Sequence, residues 1–118
     1  PGIKSMALTV DSSFITAWTN DFGYKEVFKR QIETLTEEGD IFFAYSTSGN
    51  SENIICALES AKERKVISIG FSGNKGGKML ELCDICFVVP DNNTALIQEV
   101  HSALGHEICG AVEKELFF

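Results

Sequence analysis

The chain has 118 residues, ten basic and seventeen acidic, for a formal charge of −7, and 44% of it is hydrophobic. That length suits one domain, and the apolar share is ample for a core. The acidic balance repels nucleic acid and anionic lipid at long range, and no apolar run approaches the ~20 residues of a membrane span.

The chain begins at Pro1 rather than Met, so it is expected to be cut or processed. No charged-then-apolar leader opens it, and a cytoplasmic location is expected. Residues 6–10, "MALTV", read as a first short strand. Residues 11–23, "DSSFITAWTNDFG", carry polar clusters at both ends and read as a loop. Val27, Phe28, Ile32 and Leu35 recur at helical spacing and predict a helix over residues 24–35. Residues 40–45 read as a second strand, residues 51–63 as a second helix, and residues 66–72 as a third strand. The turn "GNKGG" leads into a short helix at residues 78–82. "DICFVVP" reads as a fourth strand closed by Pro90. Ile97, Val100, Leu104, Ile108, Val112 and Leu116 predict a long helix over residues 94–116.

Near-continuous apolar strands alternating with helices indicate a parallel sheet covered on both faces, a doubly wound α/β fold. The four cysteines are Cys56, Cys83, Cys86 and Cys109. Cys83 and Cys86 have the spacing of a metal knuckle or redox pair. Within a strand, however, residues three apart point to opposite faces. Packed core thiols in a reducing compartment are therefore the expectation.

The chemistry concentrates between the second strand and the second helix, in Ser46-Thr47-Ser48-Gly49-Asn50-Ser51. Ligands of such sheets bind at the carboxyl ends of strands, where helices begin. A helix start offers free N–H groups and about half a positive charge. Small residues admit an anion close to the backbone, and hydroxyls add donors. The loop therefore reads as a phosphate cradle that needs no Lys or Arg. A plain N-cap would need only one serine. A flavodoxin-like electron carrier also fits such a loop, with Trp18 and Tyr24 as its candidate flavin-stacking rings. On the last helix Gln98, His101 and His106, with Thr94 at its entry, read either as packed residues or as the wall of a polar pocket.

"STSGNSENIICALESAK", "GFSGNKGGKMLELCD", "VVPDNNTALIQEVHSALGHEIC" and "TAWTNDFGYKEVFKRQIETL" together resemble the phosphoheptose isomerases, a family of SIS (sugar isomerase) domains. The resemblance runs along essentially the whole chain. It implies a flavodoxin-like three-layer α/β/α sandwich, a homotetramer, and in many members zinc. It implies conversion of sedoheptulose 7-phosphate to glycero-manno-heptose 7-phosphate, the first step toward bacterial ADP-heptose. Ser46, Thr47, Ser48 and Ser51 match the family's phosphate-binding hydroxyls. Asn20 and Asp21 match the pair that holds sugar hydroxyls, and Gln98 a residue that contacts substrate and metal. His106 matches the histidine that serves as acid/base or zinc ligand.

The family pattern also includes N-terminal helices, a first strand and a "GGNGGS"-like loop, for which these 118 residues show no counterpart. The chain is thus expected to be one SIS domain lacking those parts, and an incomplete catalyst. Gln98 and His106 stand eight residues apart, about 12 Å along a regular helix, which strains a shared zinc ion. A non-catalytic relative that binds a replication initiator is the other reading of the resemblance. Its members carry Arg in place of Ser48 and lack the histidine at His106.

Overall fold

The structure, a computed structural model, describes residues 2–118; Pro1 lies outside the described residues. Three strands, β1 (Ile41–Tyr45), β2 (Ile67–Gly73) and β3 (Ile85–Val89), form a parallel sheet in that order. The register places Tyr45 beside Phe71 and Phe71 beside Phe87. Helix α1 (Ser12–Phe22), a single 3-10 turn (Tyr24–Glu26) and α2 (Val27–Leu35) precede the sheet. Helix α3 (Glu52–Glu63) crosses from β1 to β2, α4 (Met79–Leu82) from β2 to β3, and α5 (Thr94–Phe117) follows β3.

Because side chains alternate across a strand, β1 sends Phe42 and Ala44 to one face and Ile41, Phe43 and Tyr45 to the other. Phe42 and Ala44 join Ile32, Ala57, Leu58, Ala61, Val66 and Met79 in the main core, which holds α2 and α3 to the sheet. Each fully buried large apolar side chain there stabilises the fold by about 1.5–3 kcal/mol. On the opposite face Phe71 stacks between Tyr45 and Phe87, at centroid distances of 4.4 and 5.4 Å. Helix α5 lies over this stack. The result is an α/β protein of three layers.

Residues 6–10 are not a strand. No described strand lies beside them to complete a ladder, and Leu8 instead gives its carbonyl to the Gln31 side chain at 2.9 Å. Residues 12–22 are a helix rather than a loop. The polar clusters that suggested a loop are its caps: Asp11 accepts from Phe14 N at 3.0 Å, and Gly23, at φ 90°, closes the other end. Phe14, Trp18 and Phe22 stack along one side at helical spacing.

The sheet is also less covered than near-continuous apolar strands suggest. Ile41, Phe43, Ile67 and Ile85 are exposed on the face shared with α5. Along α5 itself only Ile97 and His101 are buried.

Candidate functional site

Ser46 follows directly on β1 and extends its ladder, with its N–H donating to Phe71 O at 3.0 Å. The chain then turns back sharply into α3. Gly49 sits at φ 69° because a Cβ there would meet the Gly76 carbonyl oxygen at 1.9 Å. The serine loop is thus wedged against the glycine-rich turn after β2. Met79 N donates to Gly49 O at 3.0 Å, and Lys78 N to Asn50 Oδ1 at 2.9 Å. Asn50 Nδ2 donates to Ser48 O at 3.2 Å, so this one side chain bridges both loops.

Ser46 is the buried hub of the hydroxyl cluster. Its Oγ lies 2.8 Å from Ser51 Oγ and 3.5 Å from Ser48 Oγ, and it accepts from Ser51 N at 3.3 Å. Ser51 is the N-cap residue of α3, yet its side chain makes no capping hydrogen bond. The first amides of that helix, those of Glu52 and Asn53, have no acceptor among the described residues. Orphan amides at a helix start with hydroxyls beside them form an anion site.

A cleft of about 490 Å³ opens at this point, lined by Tyr45, Ser46, Thr47 and Ser51 on one side. Gln98, His101, Ser102 and Gly105 of α5 form the other side. No lysine or arginine is among these residues, so the polar groups it offers an anion are amides and hydroxyls. Ser48 stands exposed at the loop tip, where its Oγ accepts from Asn50 N at 3.1 Å. His101 is buried, and its Nε2 lies 2.9 Å from Ser72 O.

The other matched residues do not line the cleft. His106 is exposed on α5, one position beyond Gly105. Asn20 and Asp21 lie in the last turn of α1, joined to each other by Asn20 Nδ2 donating to Asp21 Oδ1 at 3.0 Å. Trp18 stacks on Phe22 under Arg30, and Tyr24 packs on Phe28, so neither ring flanks the cleft as a flavin would require. Tyr45 is the cleft aromatic that sequence reasoning missed. Its signal was position, as the last residue of a strand that feeds the serine loop.

No three His, Cys, Asp or Glu side chains come together among the described residues. A catalytic zinc takes three protein ligands and a structural one four. Gln98 and His106 therefore do not make a zinc site by themselves, and no chemical step is assigned to the ion. Cys83 and Cys86 do converge, contrary to the opposite-face reading, because β3 begins only at Ile85. Both thiols stand over Gly70, where a Cβ would meet their sulfurs at 2.5 and 3.3 Å. Burial first, and then the neighbouring Cys86, push the Cys83 thiol up to about 12. At physiological pH that sulfur is a packed thiol, not a thiolate nucleophile.

A second cleft of about 380 Å³ lies at the other end of the strands, beside Lys62, Lys65, Glu81 and Asp84. Asp84 is committed there to Ser68, accepting from its N at 2.7 Å and its Oγ at 3.1 Å. The cleft by the serine loop is the one in which free helix amides stand beside hydroxyls.

The fold and site define a parallel α/β sandwich with a hydroxyl-rich loop and two unbonded helix amides at the carboxyl end of its first strand. The chain belongs to the SIS domain family, whose pattern matches residues 1–73. It is 54% identical over 117 residues to phosphoheptose isomerase 2 of Campylobacter jejuni, covering 99% of this chain and 58% of that protein. It is 51% identical to the phosphoheptose isomerase of Aneurinibacillus thermoaerophilus, covering 99% of this chain and 59% of that protein. The phosphoheptose isomerase structure from Neisseria gonorrhoeae superposes with a TM-score of 0.89 at 41% identity. That match covers 91% of this chain and 61% of the other. The chain thus spans about three-fifths of the length of the curated relatives it matches.

Proposed function

We propose that the full-length protein is a phosphoheptose isomerase. It converts sedoheptulose 7-phosphate to D-glycero-D-manno-heptose 7-phosphate, which feeds ADP-heptose synthesis for lipopolysaccharide or related glycans. The observation that carries this reading is the uncapped start of α3: a serine N-cap that does not cap, beside two amides without acceptors. Such a site is built for an anionic oxygen group rather than for helix stability alone. The names of the relatives favour an isomerase over the initiator-binding alternative.

In this reading Ser46, Thr47, Ser48 and Ser51 hold the phosphate. Gln98, across the same cleft, meets the carbonyl end of the sugar. Moving a carbonyl between adjacent carbons passes through an enediol and needs a base and an acid. His106 is proposed as the acid/base group, on its match to the family's histidine and because an imidazole can both give and take a proton. Asn20 and Asp21 are proposed to hold sugar hydroxyls. Asp21 is not proposed as the base, because its carboxylate is already engaged by Asn20 Nδ2 and it does not line the cleft. Zinc keeps a place only as an ion for which Gln98 and His106 supply two ligands and other groups the rest. A cytoplasmic homotetramer is proposed for the full-length protein. Val112, Leu116 and Phe117, exposed along α5, and Phe118 just after it offer an apolar surface that such an assembly would cover.

Ser48→Asp tests the cradle in the full-length protein. A carboxylate beside the bound phosphate should weaken affinity for sedoheptulose 7-phosphate on the order of a hundredfold or more. Calorimetry showing unchanged affinity would place the phosphate elsewhere and end this reading.

A further inference from the structure

We propose that His101 is a positioning residue: its bond to Ser72 clamps α5 to the carboxyl end of β2 and so sets where Gln98 stands across from the serine loop. The proposal deepens the isomerase reading and rests on it for its kinetic arm.

Helix α5 has 24 residues, and at 1.5 Å per residue it runs about 36 Å. Only two of its side chains are buried. Ile97 packs at Gly73, where an added Cβ would lie 2.4 Å from its Cδ1. His101, one turn later, is 5% exposed. Beyond it every residue of the helix is half-buried or exposed. His101 also makes the one side-chain hydrogen bond between α5 and the sheet among the described residues, Nε2 to Ser72 O at 2.9 Å. A main-chain carbonyl only accepts, so the proton sits on Nε2. The rings of Tyr45 and Phe71 meet the imidazole edge-on at 6.0 and 5.9 Å, which fixes its plane.

Gln98 stands three residues before His101, on the same side of the helix, and both line the cleft with Ser46, Thr47 and Ser51. The cradle hangs from β1, whereas Gln98 hangs from α5. The distance between the two halves of the site is therefore set by what fastens α5 to the sheet. Of the two fastenings, Ile97 supplies burial and His101 supplies direction. Nothing in this arrangement requires the imidazole to touch substrate.

Two substitutions in the full-length protein separate the roles. In His101→Gln the amide nitrogen reaches the place of Nε2 and keeps the donor to Ser72 O. In His101→Asn the shorter amide ends near Nδ1 and loses it. The expected result is a His101→Gln enzyme with kcat within about threefold of wild type, and a His101→Asn enzyme with kcat lowered about tenfold or more, as a displacement near 1 Å would cause. Affinity for inorganic phosphate should stay within about twofold in both, because the cradle does not move. Equal kcat in all three proteins would overturn the clamp. So would equal losses in both variants, which would mean that the imidazole itself takes part, or a loss of phosphate affinity in step with kcat. If the wild type binds phosphate but isomerises no heptulose phosphate, the functional reading fails and the clamp is judged by hydrogen exchange. Faster exchange along α5 in His101→Asn alone supports it, and identical exchange in all three proteins rejects it.

Discussion

Ser46 and Ser51 hold their hydroxyl oxygens 2.8 Å apart across the turn between β1 and α3, and this pairing is why α3 begins without a side-chain cap. A serine at an N-cap ordinarily accepts from an amide of the first turn. Here Ser46 takes up that hydroxyl, and the amides of Glu52 and Asn53 face outward with nothing to bond. The loop gives up a cap and leaves two amides free for the anion proposed above.

Ser46→Ala should therefore weaken two things at once. The Ser51 amide would lose its acceptor, a loss of about 1–3 kcal/mol where the group is shielded from water. Phosphate affinity should fall as well, because Ser51 would no longer be oriented. Urea denaturation and phosphate titration of the same variant check both, and a variant with unchanged affinity would show that Ser51 orients itself.

Gly49→Ala should be more damaging than its size suggests. A Cβ at Gly49 would lie 1.9 Å from Gly76 O, and the backbone there has φ 69°. The left-handed conformation alone disfavours alanine by about 1–2 kcal/mol. Pushing the two loops apart would also stretch the Met79–Gly49 backbone bond, worth about 0.5–1.5 kcal/mol. A total on the order of 2–4 kcal/mol is expected from urea midpoints. A loss below about 0.5 kcal/mol, the range of an ordinary surface substitution, would mean that the loops are not wedged.

His106→Gln should leave the fold intact, since the side chain is exposed and makes no hydrogen bond among the described residues. Turnover of the full-length protein should drop by roughly 10²–10⁴, as removal of an acid/base group does. Unaltered melting together with unaltered turnover would reduce His106 to a surface residue.

Asp84 contributes an acid-sensitive part of the stability. The Ser68 backbone N–H chiefly, with the Ser68 hydroxyl, holds its carboxyl below the ordinary 3.8. Because the folded value is the lower one, the contribution is present above the unfolded value and is lost as pH falls through the folded one. Asp84→Asn should lower stability at neutral pH and flatten the decline seen below about pH 4. Urea midpoints across the acid range for the two proteins, if parallel, would remove Asp84 from that decline.

The order of strands and helices from residue 24 onward and the place of the serine loop were legible in the sequence, because both depend on neighbours within a few residues. An apolar run followed by Ser-Thr-Ser-Gly-Asn-Ser and an amphipathic helix needs no distant partner to be recognised. The helix at residues 12–22 was legible in principle too, since Asp11 and Gly23 are local caps, but their polarity reads equally as loop. What tertiary structure alone decided are the features that need a second surface. Residues 6–10 have the composition of a strand, and a strand exists only where another lies beside it. Cys83 and Cys86 meet because β3 starts after Asp84, a boundary set by pairing with β2. Helical spacing put Gln98, His101 and His106 on one helix without telling which side the sheet would take. Packing of α5 on Phe71 and Tyr45 turned His101 inward beside Gln98 and left His106 in solvent. That choice depends on contacts between residues about thirty positions apart, and no local pattern encodes them.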